Sequence, residues 1–228
     1  MAKFSLVTAV LALASSVAAQ CGSGTPHAKV TGSGSSFVAT KGSSQVYAGS
    51  DYRAAIQAAV DSIASGQRVS VIASGSIGAS TITIGSGKTF EGCGTINVAL
   101  RSGRGAIEVT NASGVKIPYL TMTGNPYFGL RFYGTKDLTL GAINMNLSGG
   151  IGIRFDRDQA ANSNVKMGTI TVNGAGSHAV ETWNIDGLTI DQVIAKNCGE
   201  VDGTSVRESP CGTNIKWNLS GNGARNIC

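Results

Sequence analysis

The chain carries nearly the same four residues twice: Gly129-Leu130-Arg131-Phe132 returns as Gly152-Ile153-Arg154-Phe155, 23 residues on. Both copies belong to a longer ladder. Triplets with a charged centre occur at Ile107-Glu108-Val109, Leu130-Arg131-Phe132, Ile153-Arg154-Phe155 and Val180-Glu181-Thr182, spaced by 23, 23 and 27 residues. A second ladder runs in phase with it: Val115-Lys116-Ile117, Leu138-Thr139-Leu140, Val165-Lys166-Met167 and Leu188-Thr189-Ile190, spaced by 23, 27 and 23. In both, the four extra residues fall between 154 and 165, in the polar stretch DRDQAANSN. Two ladders sharing one insertion define a structural repeat of the length found in stacked arrays.

Each unit alternates apolar and polar residues and then turns at Gly, Asn or Ser, the pattern of short strands. One unit cannot bury its apolar face alone. Stacked on copies of itself at ~4.8 Å per rung, it builds a continuous core. Strands of one sense, coiling once per 23 residues or so, give an all-β fold: a single-stranded parallel β-helix. Leu130 and Phe132 then point inward and Arg131 points out. Composition agrees, since glycine is abundant at 32 residues and only 14 % of the chain is charged. One helix is expected, over about residues 50–66. Ser50 or Asp51 caps it, Ile56, Ala59, Val60 and Ile63 form its apolar stripe, and Gly66 ends it. It would cover the open N-terminal end of the coil.

Residues 1–19 have the character of a secretory signal. A lysine precedes an apolar run too short to span a ~30 Å bilayer, and Val17-Ala18-Ala19 supplies small residues for cleavage. The β-helix domain is expected over 20–200, with 201–228 as a C-terminal cap. In an exported chain, five cysteines imply disulfides. Cys211 with Cys228 would close the cap, Cys21 with Cys93 is a second pairing, and Cys198 is the residue left over. Asn111-Ala112-Ser113, Asn146-Leu147-Ser148 and Asn218-Leu219-Ser220 are glycosylation acceptors. A net charge of +5 without a lysine-rich run argues against nucleic acid and suits an acidic matrix or polysaccharide. The expected product is an extracellular monomer with no membrane or nucleic-acid partner.

The order of capping helix, short strand, TITIGSGKTFEGCG and stacked rungs resembles the secreted right-handed β-helix proteins of the pectin-lyase-like superfamily, and uncharacterised fungal members most closely. The resemblance covers nearly the whole chain after residue 19. It implies right-handed coiling, and a cell-wall polysaccharide as partner. The superfamily holds pectate and pectin lyases, polygalacturonases, rhamnogalacturonases and proteins without known activity, so its fold does not fix a reaction. The polygalacturonase pattern of Asn-Thr-Asp, paired Asp and Gly-His-Gly is absent; Gly176-Ser177-His178-Ala179 only echoes it. No pectate-lyase calcium site can be matched residue by residue, so no cofactor is expected and calcium stays open. After Glu200 the rungs are expected to stop abruptly, as in a shortened or spliced member of the group.

The outward residues form the candidate site. Glu108, Arg131, Arg154 and Glu181 stack in one column, with Thr110, Tyr133, Asp156 and Trp183 two residues on in each rung. The column admits three readings. It is a structural ladder, with Glu108 paired to Arg131 and Glu181 to Arg154. Or it is the active site of a lyase or hydrolase acting on pectic or other acidic polysaccharide. Arg131, Tyr133, Trp183 and Glu108 would then bind substrate, and Asp156, Asp158, Arg154 and Glu181 would supply the chemistry. Or the same arginines and rings bind polysaccharide without cleaving it. Arg154 beside Glu181 disfavours Glu181 as a general acid, which leaves Asp156 or Asp158. His178 is expected to be buried or at a rung edge, Arg157 and Asp158 in a solvated loop, Trp217 in the cap, and Asp186 and Asp191 at turns.

Overall fold

The computed structural model describes residues 21–199, together with the strands Val206–Ser209 and Leu219–Ser220. The expected signal segment, the Cys211–Cys228 pairing, Trp217 and the Asn218 acceptor lie outside the described residues.

The chain starts with an antiparallel meander that the repeat did not reveal: β1 (Ala28–Ser33), β2 (Ser36–Lys41) and β3 (Ser44–Gly49). Helix α1 (Tyr52–Ser62) packs on all three strands. Asp51 caps it, its side chain accepting from the Ala54 N–H at 2.9 Å. The helix is shorter than the expected 50–66, because Ile63 already has extended backbone and Gly66 turns with positive φ. The apolar stripe is as expected, with Ile56, Ala59, Val60 and Ile63 all buried. Tyr52, on the same face, stacks on Phe37 and donates its hydroxyl to the Ala73 carbonyl at 2.6 Å; burial pushes its pKa up.

The coil itself begins with β4 (Arg68–Val71), β5 (Gly75–Gly78), β6 (Ile82–Thr83) and β7 (Thr89–Val98). Short and long strands then alternate: β8 (Gly105–Thr110), β9 (Lys116–Gly124), β10 (Phe128–Tyr133), β11 (Thr139–Leu147), β12 (Ile151–Phe155), β13 (Asn162–Asn173), β14 (Val180–Trp183) and β15 (Ile185–Lys196). The short strands form sheet B, in the order β16-β14-β12-β10-β8-β6, where β16 is Val206–Ser209. The long ones, with β4, β5, the meander and β17 (Leu219–Ser220), form sheet A. Apart from the meander, every pairing is parallel. The fold is a right-handed parallel β-helix with an N-terminal cap. Val206–Ser209 pairs in parallel with β14 and Leu219–Ser220 with β15, one in each sheet.

The registers match both sequence ladders. Arg131 sits opposite Glu108 on one side and Arg154 on the other, and Arg154 sits opposite Glu181. In sheet A, Thr139 is paired to Lys116 and Lys166, and Lys166 to Thr189. The four-residue insertion forms the connection between β12 and β13. Inward columns such as Ile117, Leu140, Met167 and Ile190 fill the core, and Phe132 stacks on Phe155 with ring centroids 4.8 Å apart. The two glycines of the repeated quartet keep rungs close. A Cβ on Gly129 would lie 2.6 Å from the Gly152 carbonyl oxygen, and one on Gly152 would lie 2.4 Å from that of Ala179.

Asp186 and Asp191 were expected at turns, but both are exposed residues within β15. Gly187, with φ of 76°, follows Asp186 within the strand without ending it, so a local kink sends a turn signal in the sequence. Cys21 and Cys93 form a disulfide, tying the chain before the meander to β7. Closing a loop across 72 residues stabilises by about 4 kcal/mol in the chain-entropy description, and the bond implies an oxidising environment. Among the described residues no helix is long and apolar enough to cross a membrane.

Candidate functional site

The charged column lies on the outer face of sheet B, held in register by the strands beneath it. Its groups are far less open than outward positions in a strand suggest. The side chains of Glu108, Glu181 and Asp156 are 3 %, 7 % and 10 % exposed, and those of Arg131 and Arg154 17 % and 20 %. They bury one another. Arg104, not anticipated because it lies outside the rung period, grips Glu108 with two hydrogen bonds, of 2.9 and 2.6 Å. The Gly105 N–H and Arg131 also donate to Glu108, at 2.8 and 3.3 Å. Arg131 turns its Nε to Asp156 at 2.7 Å, and Arg154 donates to the other oxygen of Asp156 at 3.1 Å. Arg154 also donates to Glu181, whose second oxygen accepts the Trp183 indole N–H at 2.9 Å.

The sign of the charge alternates along this chain: Arg104, Glu108, Arg131, Asp156, Arg154, Glu181. Two arginines face each other across the β10–β12 pair, an arrangement that is unfavourable alone. Asp156 resolves it by reaching back from the end of β12 and bridging both guanidiniums. Burial alone would raise the Glu108 pKa; the hydrogen bonds from Arg104, Gly105 and Arg131 outweigh it and hold the carboxyl below its ordinary value. The Arg104 guanidinium moves up for the same reason, chiefly through its hydrogen bond to Glu108.

The structure therefore brings together seven of the eight residues singled out from the sequence: Glu108, Arg131, Tyr133, Arg154, Asp156, Glu181 and Trp183. Asp158 stands apart. It lies in the loop between β12 and β13, 76 % exposed, and accepts from its neighbour Arg157 at 3.2 Å. The two outward rings carry guanidiniums on their faces: Arg131 lies 5.2 Å from the Tyr133 centroid and Arg157 5.1 Å from that of Trp183. His178 is buried, as expected, with Nδ1 2.8 Å from the Ser177 hydroxyl.

A groove of about 490 Å³ opens beside the column, at the edge where strands enter sheet B. Its walls include Leu100, Pro126, Tyr127, Phe128 and Ile151, and Arg154 supplies its charged group. Leu100 and Tyr127 are exposed, and Tyr127 meets Phe128 edge to face. Arg131 and Arg154 both pack over the Phe128 ring, with centroid distances of 5.9 and 5.6 Å. Sequence reasoning missed this groove. Leu100, Pro126, Tyr127, Gly150, Gly176 and Ser177 come from connections between rungs, which carry no repeat, although the aromatic pair in Asn125-Pro126-Tyr127-Phe128 is a visible signal.

No group of three or more His, Cys, Asp or Glu side chains among the described residues could hold a metal ion. No family model, curated protein or solved structure matches this chain.

Proposed function

We propose that this chain is a secreted, non-catalytic binder of acidic cell-wall polysaccharide, and that the groove beside Arg154 is where the sugar chain seats. The observation that carries this reading is the occupation of the carboxylates. Asp156 is bridged by two arginines, Glu181 is held by Arg154 and an indole N–H, and Glu108 by two arginines and a backbone amide. A hydrolase needs one carboxyl that keeps its proton near neutral pH and a second free to act as base. Glu108 is held below its ordinary pKa by its hydrogen bonds from Arg104, Gly105 and Arg131, which is the wrong direction for an acid. A lyase needs a base beside the uronate carboxyl, and guanidiniums committed to two carboxylates each are poor bases.

The groove offers what binding requires: a mostly apolar concave wall, exposed aromatic surface and one anchoring cation. The positive net charge favours approach of a polyanion. The resemblance to the pectin-lyase-like superfamily, together with the signal-like leader and the disulfide, supports a pectic partner outside the cell.

Electrophoresis through gels containing polygalacturonate, methyl-esterified pectin or neutral glucan tests the reading. The protein should be retarded most by polygalacturonate. Tyr127→Ala, which leaves the column intact, should weaken retention about five-fold, the equivalent of about 1 kcal/mol of stacking. Equal mobility in all three gels would overturn the proposal.

A further inference from the structure

We propose that the outer face of sheet A carries a second binding row for acidic polysaccharide, made by Lys116, Thr139 and Lys166 with Lys136 beside them, so that one molecule joins two chains. This rests on the binding reading above and adds a second point of attachment to it.

The excess positive charge of the chain does not sit on sheet B. Arg104, Arg131 and Arg154 face Glu108, Asp156 and Glu181, so the column is neutral as a whole. Arg68 with Glu91 and Arg157 with Asp158 cancel in the same way. Every ion pair among the described residues is made by an arginine, and no lysine enters one. The arginines left over, Arg53 and Arg101, both bond to Thr81. Lysine therefore supplies most of the charge that a polyanion meets.

Three lysines gather on one face. Lys116 in β9 and Lys166 in β13 are both register partners of Thr139 in β11, which puts them two rungs apart, or ~9.6 Å. Both are exposed, and so is Lys136, which stands in the turn before β11, bridged in register between Ser113 and Ser163. None of the strands β9, β11 and β13 contains an Asp or Glu. Asp137, next to Lys136, accepts from the Asn164 side chain. Asp186 and Asp191 lie in β15 and bound the face at the following rung.

This spacing suits a chain of linked uronates. Where successive rings turn to opposite sides, carboxylates return to one side at every second ring. Lysines at every second rung meet them, and the Thr139 hydroxyl faces the ring between. An ammonium on a flexible stem takes a carboxylate without demanding a fixed geometry. The row is also well separated from the groove. The groove lies where strands enter sheet B, and the row begins beyond the turn by which they leave it. From Phe128 to Tyr133 that is five residue steps, or ~17 Å at ~3.3 Å per residue. A chain seated in the groove leaves the row open to a second one.

The test uses gels containing polygalacturonate, and light scattering of a polygalacturonate solution as protein is added. The double variant Lys116→Gln/Lys166→Gln is compared with Lys29→Gln/Lys41→Gln, which removes the same charge from the exposed lysines of the meander. Retention should fall about three- to ten-fold in the first, as expected for two exposed charges, and less than about two-fold in the second. The difference should vanish at high salt. The natural chain should raise scattering as chains are joined, and both Lys116→Gln/Lys166→Gln and Tyr127→Ala should lose most of that rise. Equal losses of retention in the two double variants reduce the row to net charge and overturn it, while the groove reading still stands on Tyr127→Ala. Retention without any rise in scattering also overturns the proposal. Retardation by double-stranded DNA through the same two lysines, with polygalacturonate retention unchanged, makes the occupant a nucleic acid and overturns it as well. If polygalacturonate does not retard the natural chain, the groove reading falls and takes the row with it.

Discussion

The two outer faces of the coil meet the same constraint in different ways. Any residue on an outward strand position stands ~4.8 Å from its counterpart in the next rung. Along one outward row, sheet A uses neutral groups that both donate and accept, whereas its first rungs pair Arg68 with Glu91 at 3.0 Å. Asn97 donates to Thr123 at 3.1 Å, Asn173 to Asn146 at 2.7 Å and Asn197 to Asn173 at 2.7 Å, so one residue type can recur rung after rung. Sheet B uses charge, and charge cannot simply repeat. Where Arg131 meets Arg154, a carboxylate has to come from elsewhere in the rung, and Asp156 is that residue. A neutral ladder is tolerant and local. A charged one is a connected chain in which each member depends on both neighbours.

That difference predicts how substitutions rank. Asp156→Asn should have the largest effect, because it leaves two largely buried guanidiniums facing each other. Unfolding in urea should show a loss of about 3 kcal/mol, the scale of breaking a buried pair from one side. A loss below ~1 kcal/mol would place the bridge on a par with the neutral ladder. Asn173→Ala removes two ladder bonds from sheet A, and should cost about 1 kcal/mol by the same measurement.

Acid separates the faces more sharply. Glu108 has a folded pKa below its ordinary value of ~4.3. Its contribution is thus fully present above that value and is lost as pH falls through the folded one. The stability gap between the natural chain and Glu108→Gln should be constant above about pH 5 and shrink below about pH 4. The gap for Asn173→Ala should not change with pH. The smallest effect belongs to Asp158→Asn, within about 0.5 kcal/mol, since its pairing with Arg157 is exposed.

How much of this was legible beforehand follows from where the repeat speaks. The registers of both sheets, the inward columns and the stacking of Glu108, Arg131, Arg154 and Glu181 are consequences of spacing, and spacing is visible in the letters. The ladder pairs Glu108–Arg131 and Glu181–Arg154 could be written down at once. Asp156 as a bridge was not visible, because a residue two positions beyond Arg154 must fold back across its own strand to reach Arg131. Arg104 and Tyr127 lie in connections between rungs, where the period is silent. The antiparallel meander was missed for the same reason: it precedes the first regular rung. Outwardness was also misjudged. Alternation says which way a side chain leaves the sheet, but large charged neighbours at ~4.8 Å then cover one another.

The central claim is that, among the described residues, the charges of the sheet B column are spent on one another. The most direct measurement is a product assay on polygalacturonate and on methylated pectin, with calcium and with chelator. Ultraviolet absorbance of the unsaturated ends that elimination creates and a count of new reducing ends are read in the same tubes. The account predicts that neither changes while the polysaccharide still retards the protein in gels. Products that form with the natural chain and vanish with Asp156→Asn, at a pH where that variant is folded, would contradict it.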